Sequence, residues 1–112
     1  MARAVIPTVI TQIAAGADRV RLGALHPTRD FTFVHDTAAA FPALAACDAA
    51  VGQVVNVGSE FEISIGDLAA LIAEVMGRNV GIEADDARLR PALSEVERLF
   101  SDSSKMRALT GW

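Results

Sequence analysis

Apolar residues at Val5, Ile6, Val9, Ile10 and Ile13 recur at the spacing of one helical face and predict a helix over 5–15. Pro7 falls in its first turn, where a missing N–H costs little, and Gly16 follows as a terminator. Val20-Arg21-Leu22-Gly23 alternates and predicts a short strand, and His26-Pro27 turns the chain. Phe31 and Phe33 alternate with Thr32 toward Val34, which predicts a second short strand. Asp36 or Thr37 then caps an alanine-rich helix to about Ala49, with Pro42 marking its first turn or a kink. The β-branched run Val54 to Val57, flanked by Gly52 and Gly58, predicts a strand buried on both faces, as in a parallel sheet. Ser64 with Asp67 starts a helix that carries Leu68, Leu71, Ile72 and Val75 on one face and stops at Gly77. Val80 and Ile82 suggest another short strand. Ser94 with Glu97 repeats the capping pattern before Val96, Leu99 and Phe100, and Asp102 caps a last helix with Met106 and Leu109. No repeat, low-complexity tract or linker interrupts this order. The expectation is one mixed α/β domain, 1–112, with short strands and four or five helices.

Composition narrows the picture. The chain has 112 residues, 52% of them hydrophobic and 21% charged, which fits a globular protein. Mean hydropathy of +0.34 is high for a free-standing domain, so some apolar surface is expected to pack against a further body. No apolar run approaches the ~18 residues that span a bilayer. The segment after Met1 is too short and too polar for a secretory leader, which points to the cytoplasm. A lone Cys47 in an alanine-rich stretch reads as a small buried hydrophobe in a reducing compartment. A net charge of −4 without a Lys/Arg cluster argues against nucleic acid. His26, His35 and Cys47 lack zinc-ligand spacing, and Asp85-Asp86 reads as a solvated pair, so no metal site is expected.

Four segments stand in a fixed order: Arg29-Asp30-Phe31-Thr32-Phe33-Val34-His35-Asp36, Val54-Val55-Asn56-Val57-Gly58-Ser59, Ile63-Ser64-Ile65-Gly66-Asp67-Leu68, and Asp102-Ser103-Ser104-Lys105 running to Leu109-Thr110-Gly111-Trp112. In this order and spacing they resemble the C-terminal part of the extended short-chain dehydrogenase/reductase family, the NAD-dependent sugar-nucleotide epimerases and dehydratases. The run Arg90-Pro91-Ala92-Leu93-Ser94-Glu95-Val96 is similar to a segment of its 4,6-dehydratases and 4-epimerases. The resemblance implies the fold class: a small mixed α/β domain, the C-terminal portion of a Rossmann-type fold without its NAD-binding half.

It also implies roles. In the family the Rossmann half holds NAD and the C-terminal part clamps the nucleoside diphosphate of the substrate. Arg29 and Arg90 match the two arginines that reach the diphosphate, for which a guanidinium fork is well suited. Glu95 stands near an acidic residue that takes hydrogen bonds from the ribose. Val20 to Leu22 matches the strand that holds the base, and Asn56 the strand returning to the main sheet. Each has a plainer reading. Arg29 beside Asp30 also fits a surface ion pair, worth at most ~1 kcal/mol. Arg90 also fits a solvated loop charge, and Glu95 a favourable charge in a helix's first turn. Asn56 also fits a group that satisfies backbone at a strand end. Phe31 and Phe33 read as core, and Asp30 and Asp36 as caps or turn residues.

The departures from the family are as informative. No Gly-x-x-Gly-x-x-Gly or Gly-x-Gly-x-x-Gly occurs, so the turn that lets backbone N–H groups approach the NAD pyrophosphate is missing. There is no tyrosine, hence no Tyr-x-x-x-Lys base, and the one lysine, Lys105, stands far from any such motif. His35 occupies a place where the family often has an acidic residue. No catalytic residue and no cofactor site is therefore expected in this chain, with NAD belonging to the parent family. The sequence reads as shortened at both ends, and Met1 directly before the family-like helix reads as an expressed short form. Two functions remain open. One is the nucleotide-sugar-binding part of an epimerase or dehydratase, inactive alone and prone to form a homodimer through the face that a Rossmann half would cover. The other is a stand-alone binding or interaction module that reuses the fold or complements a separate Rossmann chain.

Overall fold

A computed structural model describes residues 4–89 and 96–112. In chain order the elements are α1 (Val5–Ala14), β1 (Arg19–Leu22), β2 (Thr28–Asp30), α2 (Val34–Ala45), β3 (Glu62–Ser64), α3 (Ile65–Val75), β4 (Gly81–Ala84) and α4 (Ser104–Thr110). Short 3₁₀ turns lie at Asp48–Ala50 and Asp86–Arg88. The chain divides into two compact units, Met1–Thr28 with Ile63–Arg98, and Arg29–Glu62 with Leu99–Trp112.

The first unit is a parallel strand pair under two helices. β1 pairs with β4 in parallel, Val20 opposite Ile82 and Leu22 opposite Ala84. Alternation along β1 sends Val20 and Leu22 inward, 0% and 4% exposed, where they meet Val9 and Ile13 of α1 and Ala69 and Ala73 of α3. Alanines one turn apart present a low surface on α3. Arg19 and Arg21 point outward, and both reach the carboxylate of Glu83, at 3.4 and 2.9 Å. The outer edge of β1 is closed by a side chain. The Gln12 amide accepts from Arg21 N and donates to Arg21 O, each at 2.9 Å, so one residue of α1 satisfies the edge as a neighbouring strand would.

The expected starts and stops hold here. Gly16 and Gly77 adopt φ of +88° and +69°, the left-handed conformation that ends helices at low steric cost. The Ser64 hydroxyl accepts from Asp67 N at 3.1 Å. The next free N–H groups of α3, Ile65 and Gly66, bond to the carbonyls of Pro27 and Leu25, both at 3.0 Å. At the far end of the unit Thr28 N donates to Glu97 O at 2.8 Å, and the His26 ring meets the Glu97 carboxylate at 2.8 Å.

The second unit departs from expectation in three places. The strand expected over 31–34 forms earlier, at Thr28–Asp30, and α2 begins at Val34, ahead of the expected cap. Phe33 is its N-cap and has no side-chain acceptor to offer; its carbonyl takes the N–H groups of Asp36 and Thr37. Pro42 lies in the helix interior, and the helix stops at Ala45. The strand expected over 54–57 does not form: Val54 is 85% exposed and the segment has no regular secondary structure. A β-branched run favours extended backbone, but a ladder needs a partner strand, and among the described residues none pairs with it. The helix expected around Leu99 and Phe100 is likewise absent from 96–100, and its cap Ser94 lies outside the described residues. The last helix forms, with Ser103 as N-cap, while Asp102 accepts from Ser104 N at 3.0 Å. Ala40 and Met106 are buried together with the polar Ser103, and Cys47 is half-buried against the Leu109 carbonyl.

Candidate functional site

Asp30, the last residue of β2, is a hub within the second unit. Its Oδ1 accepts from Ser59 N at 3.0 Å and from the Ser59 hydroxyl, and its Oδ2 accepts from Glu60 N at 3.0 Å and Ser101 N at 3.1 Å. Two carboxylate oxygens offer about four lone-pair sites, so the group is saturated. Burial pushes the Asp30 carboxyl up, but the hydrogen bonds from the Ser59 hydroxyl and from the backbone of Ser101, Ser59 and Glu60 outweigh it and hold the group below its ordinary value. It is an ionised acceptor at neutral pH.

A second knot lies beside the first. Ser103, 1% exposed, accepts from Gly58 N at 2.9 Å and donates to Gly58 O at 3.0 Å. Its single hydroxyl proton is thereby used, so the Ser101 hydroxyl, 3.0 Å away, is the donor of that pair. Gly58 is required by space: a Cβ there would stand 2.3 Å from the Ser101 Cβ. Glu60 takes up φ +59°, a conformation unusual for a side chain this size, and its carboxylate accepts from Ser103 N at 2.7 Å and pairs with Arg107. These bonds tie residues 58–60 and 101–103 to the end of β2. Asp30, Thr32, Asn56, Val57, Gly58, Leu99, Phe100 and Ser101 line an adjoining cleft of ≈ 340 Å³. With the Asp30 carboxylate saturated, the polar lining left is Asn56 and Thr32 beside apolar walls, which suits an uncharged, hydroxyl-bearing group better than an anion.

The residues singled out from the sequence separate as follows. Arg29 is half-buried in β2, next in sequence to the hub. Val20 and Leu22 are core side chains of the first unit, and Arg21, between them, spends its backbone groups on Gln12. What β1 presents outward is the arginine pair on Glu83. Arg90 and Glu95 lie outside the described residues. Asn56 is exposed at the cleft. Lys105 reaches the Gln53 side chain at 2.7 Å and the Val54 carbonyl at 3.2 Å, holding the irregular segment. The Trp112 indole donates to the Asp36 carbonyl at 2.9 Å. Among the described residues no group of three His, Cys, Asp or Glu could hold a metal ion, and no helix is long and apolar enough to cross a membrane.

Sequence reasoning missed the Asp30 hub, the Ser103 knot and the Gln12 edge cover. Asp30 was legible only as a turn or cap residue, because its donors stand 29 to 71 positions away. The buried serine hides in Asp102-Ser103-Ser104, which reads as a helix cap.

The family profile described as GDP-mannose 4,6 dehydratase matches residues 1–112. Among curated proteins the chain is similar to the GDP-6-deoxy-D-mannose reductase of Pseudomonas aeruginosa, 33% identical over 96 residues, which are 86% of this chain and 31% of that one. Among solved structures it resembles an epimerase of the methanogen Methanothermobacter thermautotrophicus, with TM-score 0.83, 27% identity, and coverage of 98% of this chain and 32% of that one. It also resembles RMD from Pseudomonas aeruginosa complexed with NADPH, with TM-score 0.75, 28% identity, and coverage of 96% and 34%. The chain spans about a third of the length of each of these relatives.

Proposed function

Because the chain belongs to the GDP-mannose 4,6 dehydratase family of extended short-chain dehydrogenase/reductases, we propose that it is the nucleotide-sugar-binding part of an NAD-dependent sugar-nucleotide epimerase or 4,6-dehydratase. The observation that carries this reading is the match along residues 1–112, which includes both arginine-bearing segments. In this reading Arg29 and Arg90 hold the diphosphate, Glu95 the ribose, and the strand of Val20 and Leu22 lies against the base. Since the strand buries those two side chains and Gln12 occupies its free edge, any contact to the base falls to the ends of β1 or to its outward Arg19–Arg21 face. The names of the family and of its curated relative both carry a guanosine diphosphate sugar, so the proposed ligand is a GDP-linked hexose.

The 112 residues alone do not turn it over in this reading, because the sequence contains no tyrosine to serve as base. Nor do they hold NAD. A dinucleotide pyrophosphate seats on a glycine-flanked helix N-terminus. The N–H groups that open α3 are already bonded to Pro27, Leu25 and Ser64, and α2 carries Asp36 in its first turn. The reading also places the protein in the cytoplasm, in keeping with its single unpaired thiol.

Calorimetric titration with GDP, UDP and dTDP, with NAD as control, tests the proposal. GDP is expected to bind and NAD to give no heat. Arg29→Ala or Arg90→Ala should each weaken GDP by roughly tenfold to a hundredfold, the size of a charge-assisted hydrogen bond of about 1.5–3 kcal/mol. Unchanged affinity in both variants would refute the site.

One feature fits this reading and equally the second, an interaction module that reuses the fold or complements a separate Rossmann chain. Phe33, Val34, Phe41, Val51 and Val54 of the second unit are all exposed, which is costly unless something covers them. A homodimer or a separate Rossmann chain would do so. Sedimentation of the purified chain distinguishes these: a concentration-dependent dimer supports self-association, and a monomer that binds no diphosphate supports a missing partner.

A further inference from the structure

We propose that Asp30 is a positioning residue for Arg29, fixing the guanidinium for the diphosphate by locking the end of β2 to the 58–60 and 101–103 segments. The inference rests on the nucleotide-sugar reading above. Neighbouring residues of a strand point to opposite faces, so a side chain anchored at position 30 fixes the origin and direction of the one at 29. β2 is only three residues long, and a ladder that short leaves its end free to twist. The Asp30 carboxylate supplies the missing constraint. Its four hydrogen bonds come from Ser59, Glu60 and Ser101, and those segments are themselves held through Ser103 to Gly58 and Glu60. The arginine then starts from a rigid base, and less freedom is lost when a ligand binds.

The chemistry of the hub makes this testable by one atom. In Asp30→Asn one oxygen becomes an NH₂ group; turned toward Ser59 it can donate to the hydroxyl but meets the Ser59 N–H, and turned the other way it meets the N–H groups of Glu60 and Ser101, so at least one of the four bonds becomes a donor–donor conflict. Ser59→Ala removes one hydroxyl, the donor to Asp30 and the acceptor of Phe61 N, and leaves the backbone bonds to Asp30, a gentler change.

The experiment is a double-mutant cycle by calorimetry with GDP on the full chain, using Arg29→Ala, Asp30→Asn and both together, with Ser59→Ala as second variant. Beside it, the Arg29 Nε–H signal is followed by ¹⁵N NMR against backbone signals of Val20 and Leu22 in the first unit. Asp30→Asn is expected to weaken GDP about tenfold in the wild-type background and to add nothing in the Arg29→Ala background. Ser59→Ala should give a smaller loss. In both variants the Arg29 signal should broaden while Val20 and Leu22 stay unchanged, a split that general destabilisation would not produce. Full additivity of the two losses overturns the proposal, as does an Arg29 signal untouched by both Asp30→Asn and Ser59→Ala. If the wild-type chain binds no GDP, the nucleotide-sugar reading falls. The Arg29 signal then still decides whether Asp30 positions it.

Discussion

The two units are held together by different physics. The first packs Val9, Ile13, Val20, Leu22, Ala69 and Ala73 into one apolar cluster, with its polar groups at the rim. The second buries few large apolar side chains among the described residues. Its order comes from Asp30, Ser103 and Glu60, which cross-link three separate segments by hydrogen bonds, while Phe41 and Val54 remain 71% and 85% exposed. Apolar burial is non-directional and tolerates small shifts. A hydrogen-bonded knot is directional and fails when one acceptor is lost. The second unit gains geometry from the second kind of order and leaves apolar surface exposed.

The sharpest way to break this comparison is to remove volume from the first unit. Ile13 is fully buried, and Ile13→Ala should cost about 2–5 kcal/mol through lost transfer energy and a residual cavity. Thermal melting checks it. A loss below about 1 kcal/mol would mean that the cluster collapses around the gap, and the first unit would then not be a packed core.

Next is the hub of the second unit. Asp30→Asn should lower stability by about 1.5–3 kcal/mol at neutral pH, because hydrogen bonds to a charged acceptor are replaced by unsatisfied donors. The pH dependence has a definite sign. The folded carboxyl titrates below its ordinary value, so its stabilising contribution is present above about pH 4 and is lost as pH falls through the folded value. The difference in melting temperature between wild type and Asp30→Asn should therefore be constant from pH 7 to about 5 and close under stronger acid. A difference that persists at pH 2 would show that Asp30 acts by shape rather than charge. Gly58→Ala probes the same knot sterically. The added Cβ meets Ser101 at 2.3 Å, and overpacking of this kind costs typically 1–3 kcal/mol.

The contrast also explains what could be read from the sequence. The first unit was legible because its order is periodic: Val9 and Ile13 repeat at helical spacing, Val20 and Leu22 alternate, and Ser64 caps its own helix. The second unit's order is not periodic. A β-branched run at 54–57 states that the backbone prefers to extend and says nothing of whether a ladder partner is present. Asp36 offered a cap, yet the Phe33 carbonyl started α2 without it. Arg29 was singled out from its motif, and the structure places it half-buried in β2 beside the hub. Its neighbour Asp30 could be assigned an acceptor's role but not its donors, which are brought together only by folding.

A smaller change sharpens the comparison at the rim of the first unit. Gln12→Ala uncovers the backbone of Arg21 on an exposed edge where water can replace the amide, so the cost should be near 1 kcal/mol. Gln12→Glu should cost more, since a carboxylate would face the Arg21 carbonyl at the position of the present N–H donor. Hydrogen exchange at the Arg21 amide reads the first, with faster exchange expected; in Gln12→Glu a carboxylate oxygen still accepts that N–H, so its cost is read by thermal melting instead.

The smallest effect is the most discriminating, because two terms oppose at Glu60. Its φ of +59° is a strained choice for a residue with a Cβ, and glycine would relieve roughly 1–2 kcal/mol. The same substitution removes the acceptor of Ser103 N and the partner of Arg107, a charge-assisted set worth about 1.5–3 kcal/mol. The second term is the larger, so Glu60→Gly should destabilise by about 1 kcal/mol in thermal melting. Glu60→Gln keeps one neutral acceptor but none of the strain relief, so it should fall within a few tenths of the glycine variant. A glycine variant more stable than wild type would mean that strain outweighs the knot, and that the second unit owes less to its hydrogen bonds than the first does to its core.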